Sequence, residues 1–138
     1  MAGSATDYFE KKILDNIFRT TSMALDATNV WIGLFTAAPS DSAAGTEVSG
    51  GSYARVAVVR TGAGFNAATG TSPATTNNTG TVTFPTATGS WGTVTHFGIF
   101  DAATTGNLLY WADLTASKTI GNGDVASFAA SALAITQD

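Results

Sequence analysis

The chain has 138 residues, 44% hydrophobic and 12% charged, enough for one packed domain and too few for two of ordinary size. It has no cysteine and one histidine, which excludes disulfide scaffolds, thiol chemistry and zinc sites built from Cys and His. Six Lys plus Arg stand against ten Asp plus Glu, for a formal charge of −4 and a pI near 4.6; nucleic acid and anionic membrane surfaces both require clustered positive charge, so neither is an expected partner.

The charged fraction is half the roughly 25% of ordinary soluble domains. The exterior must therefore be largely Thr, Ser, Ala and backbone amide, a neutral surface with little charge to hold copies apart. That composition favours life inside an assembly. No apolar run approaches the roughly 20 residues of a membrane span. Met1 to Lys12 lacks the basic start and apolar stretch of a secretory signal, so synthesis in the cytoplasm is expected.

Six of the sixteen charges fall within Met1 to Thr20, in the stretch with a helical period. Phe9, Ile13, Leu14, Ile17 and Phe18 fall on one broad face, with Lys11, Lys12, Asp15, Asn16 and Arg19 on the other. The spacing predicts an amphipathic helix from Ala5 to Phe18 with Ser4 as its N-cap. Asp7 and Glu10 in the first turns and Arg19 in the last suit the helix dipole, and Asp7 to Lys11 and Asp15 to Arg19 are favourable i,i+4 pairs.

From Asn29 onward the period changes to two and the residues become β-branched, aromatic and small. Strands are expected over Val30 to Thr36, Tyr53 to Arg60, Thr81 to Phe84, Thr93 to Phe100, Leu108 to Leu114, and within Val125 to Thr136. Glycines and prolines between them form turns. The segments Gly80-Thr-Val-Thr-Phe84 and Gly92-Thr-Val-Thr-His-Phe97 lie twelve residues apart, a spacing that suits neighbouring antiparallel strands. Ala37 to Ser52 and Asn66 to Gly80 read as long loops. The predicted fold is mainly β, an antiparallel, jelly-roll-like β-sandwich with one N-terminal amphipathic helix. It forms a single domain over 1–138, with the helix and a linker in 1–24 and the sandwich in 28–138.

A search for chemistry returns little. Thr61-Gly-Ala-Gly-Phe65 starts like a dinucleotide fingerprint but lacks a third glycine and a following helix, so it reads as a turn. No glycine-lysine phosphate loop and no serine elbow occur. His96, on a strand face with Val94, Gly98 and Phe100, reads as a packed, hydrogen-bonded histidine; a Ser-His-Asp site would have to recruit Asp101 or Asp113 in space. No carboxylate pair points to sugar hydrolysis. Asp101, Asp113 and Asp124 each border a turn, where calcium is the minor alternative to self-capping. Neither catalytic nor cofactor-binding nor metal-ligating residues are assigned, and the chain is expected not to be an enzyme. Trp31, Phe35, Phe97 and Trp111 are expected in the core, whereas Trp91, in a turn, is the candidate exposed ring, with Tyr53 as its companion for stacking on a sugar or a partner.

Long strings carry a resemblance. Gly45-Thr-Glu-Val-Ser-Gly-Gly-Ser-Tyr-Ala-Arg55, Phe84-Pro-Thr-Ala-Thr-Gly-Ser-Trp-Gly-Thr-Val-Thr-His-Phe-Gly-Ile-Phe-Asp-Ala102 and Gly106-Asn-Leu-Leu-Tyr110 are similar to a family of small tailed-bacteriophage proteins. So are Asp7-Tyr-Phe-Glu-Lys-Lys-Ile-Leu14 and Asn29-Val-Trp-Ile-Gly-Leu-Phe-Thr36. The resemblance implies a virion structural protein: a decoration or cement protein on the outer surface of the head, or else a tail or head-fibre component, including a receptor- or carbohydrate-binding module. The expected partners are the major capsid protein and two further copies of the chain in a homotrimer, with no cofactor. The expected contact residues are Phe9, Ile13, Ile17, Glu47, Tyr53 and Trp91. The helix is expected to pack on its own domain, with an arm reaching a neighbour as the alternative.

Overall fold

The computed structural model describes residues 3–26 and 28–137. Its elements in chain order are β1 (Gly3–Ala5), α1 (Asp7–Arg19), β2 (Asn29–Ala37), β3 (Thr46–Glu47), β4 (Val56–Val59) and β5 (Ala74–Asn77). They continue with β6 (Val82–Thr83), β7 (Gly92–Phe100), β8 (Leu108–Ile120), β9 (Ser127–Phe128) and β10 (Ala134–Gln137). The fold is mainly β and antiparallel, with its helix near the N-terminus, as the period change at Asn29 predicts.

One sheet runs in the order β1-β8-β7-β2-β3, and β4 also pairs with β2. Alternation along its strands sends Ile32, Leu34, Phe97, Ile99 and Ala112 to one face, where all are buried. Opposite them lie two ribbons, β5 with β10 and β6 with β9, and the buried Phe84, Trp91 and Leu133. Rings join the layers: Phe97 meets Phe128 at 5.8 Å and Phe84 meets Phe128 at 6.3 Å, both edge to face. Burying each large aliphatic or aromatic side chain here contributes about 1.5–3 kcal/mol.

Several expectations are corrected. The layer facing the sheet is two short ribbons, where a jelly roll would have a second full sheet. The segment around Val82 pairs with β9, and its similarity to the start of β7 reflects no pairing between them. Each presumed loop contains a strand: β3 lies within 37–52, and β5 within 66–80 against β10. Thr and Asn there reach ladder geometry because Ala134–Gln137 pairs alongside them, a long-range effect that local composition does not display. The predicted strand Tyr53 to Arg60 shortens to β4, and Tyr53 stands outside it.

Helix α1 begins two residues later than expected. Gly3–Ala5 pairs with Ala112, Trp111 and Tyr110 of β8, so Ser4 is extended and Thr6 becomes the N-cap. Its side chain accepts from the Phe9 N–H at 3.4 Å and donates to Leu108 O at 2.6 Å, which ties the cap to the sheet. At the other end Thr20 takes a left-handed conformation, φ 54°. Asp26 then accepts from the backbone N–H groups of Asn29 and Thr28 at 2.8 Å each, bonds that hold its carboxyl below the ordinary 3.8.

Strand β2 changes partner midway. It pairs with β4 from Asn29 to Ile32 and with β3 from Phe35 to Ala37, leaving a gap at Gly33 and Leu34. The Tyr53 hydroxyl accepts from the Leu34 N–H at 2.9 Å and donates to Glu47 Oε1 at 2.8 Å. Arg55 closes the arrangement with two bonds to Glu47, at 2.8 and 2.7 Å, and two to the carbonyls of Ala102 and Thr105. Its guanidinium lies 3.3 Å from the centre of the Phe100 ring.

Candidate functional site

The six expected contact residues divide into two groups. Trp91 is buried, and Glu47 and Tyr53 are half-buried and engaged within the domain. Trp91 is 4% exposed, its indole N–H donates to Gly51 O at 2.9 Å, and its ring meets Tyr53 edge to face at 5.3 Å. The exposed ring predicted from its turn position is therefore buried, and neither it nor half-buried Tyr53 offers a free face to a sugar. The turn position misled because Gly51 leaves room for the indole to fold inward, Nε1 lying only 3.0 Å from where a Cβ would stand. Glu47 is committed to Arg55 and Tyr53 inside the β2 gap.

Phe9, Ile13 and Ile17 lie on α1, where no residue is buried. At about 100° per residue, nine residues carry Phe18 round to the side opposite Phe9, so the broad face read from the sequence is two faces. Phe9 and Ile13 look toward the sheet. Leu14, Ile17 and Phe18 look outward and are 56%, 62% and 77% exposed. The expected docking of the whole apolar face on the domain thus holds for the first two turns only. Phe18 is the contact candidate that the six omit, and its angular distance from Phe9 was the available signal.

Between α1 and the sheet runs an open apolar groove of about 690 Å³. It is lined by Phe9 and Ile13, by Leu25 and Phe65, and by Ile99, Leu109 and Ile135, with Arg60 and Gln137 also at it. These residues come from six separate segments, which is why no local motif announced the groove. A second cavity, about 470 Å³, lies between Leu114, Ala116 and Lys118 of β8 and Val125, Ala126 and Phe128. It lies beside a bulge: Val94 to His96, three residues of β7, oppose Asp113 to Lys118, six of β8.

The residues considered for chemistry are also placed. His96 and Asp113 are register partners on β7 and β8, with Nε2 2.8 Å from Oδ1, and His96 Nδ1 lies 2.7 Å from the Thr95 hydroxyl. Asp113 lines the second cavity, whereas Thr95 and His96 line neither; the chain of bonds clasps the strands at the bulge. Asp101 is occupied by Asn107 and Asp124 by the Gly121 N–H. The three turn aspartates are not brought together, and no cluster of metal-ligating side chains occurs among the described residues. The Thr61 to Phe65 stretch is a turn closed by bonds from Gly64 and Phe65 to Thr61 O. Trp31 and Trp111, expected in the core, are half-buried on the sheet's other face. No helix among the described residues is long and apolar enough to cross a membrane.

Comparison with curated proteins returns no match. Comparison with protein families matches residues 4–136 to a family described as podophage GP4 fiber I protein gp80, a span that takes in every strand pair of the sheet and both ribbons. An acidic, weakly charged β-domain with an outward apolar helix end is a form suited to assembly. The chain belongs to the podophage GP4 fiber I protein gp80 family, and is a phage virion structural protein of fibre type.

Proposed function

We propose that this chain is a non-enzymatic subunit of a fibre carried on the phage head, assembled as a homotrimer and held to the particle by protein–protein contacts. The family match over residues 4–136 carries the reading. The neutral surface and the outward helix end support it, because apolar patches rimmed by polar residues mark protein contacts. Several modest contacts from one oligomer hold it far better than one contact, since the later ones form at high effective concentration. Sugar recognition through Trp91 and Tyr53 forms no part of the reading, because those rings pack on each other.

A second reading, a decoration or cement protein bound to the major capsid protein on the outer head surface, is favoured by one observation. The described residues form a compact body whose helix, 13 residues long, spans only about 20 Å, with no shaft. Each subunit would then bury about 800 Å² against its shell partner. Quantitative mass spectrometry of purified particles separates the two. Tens of copies per particle, located by antibody labelling at discrete projections, support the fibre. Copies in proportion to the major capsid protein support decoration, and absence of the chain from particles overturns both.

A further inference from the structure

We infer that the exposed end of α1 seats in the apolar groove of a second copy of this chain. The inference rests on the fibre-subunit reading and names the contact by which its copies join.

Among the described residues, five large hydrophobic side chains are exposed, and three of them, Leu14, Ile17 and Phe18, fall within five consecutive positions. With Ile13 they make a wide apolar stripe along the last two turns of α1, opposite Asp15, Asn16 and Arg19. A helix buries such a stripe against a neighbour, and its own domain covers only the Phe9 and Ile13 side. The same domain holds an apolar groove of about 690 Å³ that these two residues line without filling. Knob and groove therefore lie on one chain and adjoin one helix. One copy's knob in the next copy's groove is a head-to-tail contact, and a three-fold rotation, as in the proposed trimer, closes it into a ring in which every copy is satisfied at once.

Charge and area point to the same occupant. Residues 7–19 carry three acidic and three basic side chains, so copies can approach through this helix without net repulsion, and a polyanion finds no net attraction. Asp15 beside the knob is paired with Arg19 at 3.7 Å, and Arg60 beside the groove donates to the Asp26 carbonyl, so the charges bordering each side are already engaged within their own chain and the contact itself is apolar. The outward half of a helix about 20 Å long and about 10 Å across offers roughly 300 Å², well below the roughly 800 Å² per partner of a stable pair. The contact reaches that size only when the groove is covered with the helix.

The test uses sedimentation velocity on the full chain. Wild type is expected to sediment as an oligomer, and the double variant Ile17→Lys with Phe18→Lys as a monomer. Both positions are solvent-facing and a cation suits the last turn of a helix, so the far-ultraviolet spectrum should stay unchanged, while the melting temperature falls to that of dilute wild type as the stabilisation from association is lost. Because the chain has no cysteine, a second measurement has no background: Phe18→Cys chains mixed with tagged Gln137→Cys chains should form a mixed disulfide dimer on oxidation, and Val125→Cys chains in place of the second should not. Monomeric wild type at the highest attainable concentration overturns the inference, as does an oligomer that survives the double lysine variant. Monomers that attach to particles only with Phe18 intact overturn it too, assigning the knob to another virion protein. Any of these leaves the fibre reading standing, whereas absence of the chain from particles removes that reading whatever the oligomer.

Discussion

Asn78 is fully buried and spends its whole amide: Nδ2 donates to Gly80 O and Ala129 O at 2.7 and 2.9 Å, and Oδ1 accepts from the Leu133 N–H at 2.8 Å. Its own carbonyl accepts from Ser131. One side chain thus holds the segment that delivers Leu133 to the core. Asn78→Ala should lower stability by about 2–3 kcal/mol, because a buried backbone donor loses its partner, as read from urea unfolding at unchanged slope. Tyr53 works on a comparable principle at the β2 gap. Burial, offset in part by the Leu34 N–H and reinforced by the Glu47 carboxylate, pushes its phenol well above the ordinary 10.0. The unfolded chain therefore loses this proton first; stability is undiminished below pH 10 and falls as pH rises above it, by at most about 1.4 kcal/mol per pH unit. Tyr53→Phe should cost about 1 kcal/mol at neutral pH and flatten that alkaline loss, which unfolding curves between pH 9 and 11 would show.

At Gly98 a close approach decides the residue. A Cβ there would stand 2.6 Å from both Phe35 Cε2 and Leu108 Cδ1, because the Phe35 ring lies across the strand to reach Phe100 at 5.8 Å. Gly98→Ala should destabilise by about 1–3 kcal/mol through overpacking, seen as a lower melting temperature. The sequence showed a glycine inside a strand run but not which ring required it.

Among the elements, α1 is held by its first turns and by a cap on the sheet, while its last residues carry their own strain. Thr20 is β-branched in the left-handed region that glycine ordinarily fills at a helix end. Thr20→Gly is expected to stabilise by up to about 1 kcal/mol, measurable as a small rise in melting temperature with helix content retained. The β7–β8 pair shows the limits of reading elements locally. Leu108 to Leu114 is legible as a strand by alternation, whereas its continuation to Ile120 passes a bulge and pairs only because Val94, Thr93 and Gly92 wait across the ladder.

For the whole molecule, a surface with little charge places the burden of solubility on a net −4. Lowering the pH toward the pI near 4.6 removes that repulsion and should promote association, visible as rising light scattering. The knob-and-groove contact is apolar and neutral, so its dissociation constant should change little between low and physiological salt, unlike a contact held by surface ion pairs.

The sequence by itself determined the class of the protein: the change of period from 3.6 to 2 at Asn29, the neutral composition and the family strings all speak through local spacing, and local spacing is what a strand or helix imposes on its own residues. Tertiary structure alone decided the rest. Whether Trp91 faces solvent depends on Gly51, forty residues away, whether Ser4 can cap a helix depends on β8, and whether Phe9 and Phe18 share a partner depends on how far the helix rests on the sheet. The groove is assembled from residues more than a hundred positions apart. Burial and pairing at such separations follow from what the distant chain places alongside, and no window of neighbouring residues contains that information.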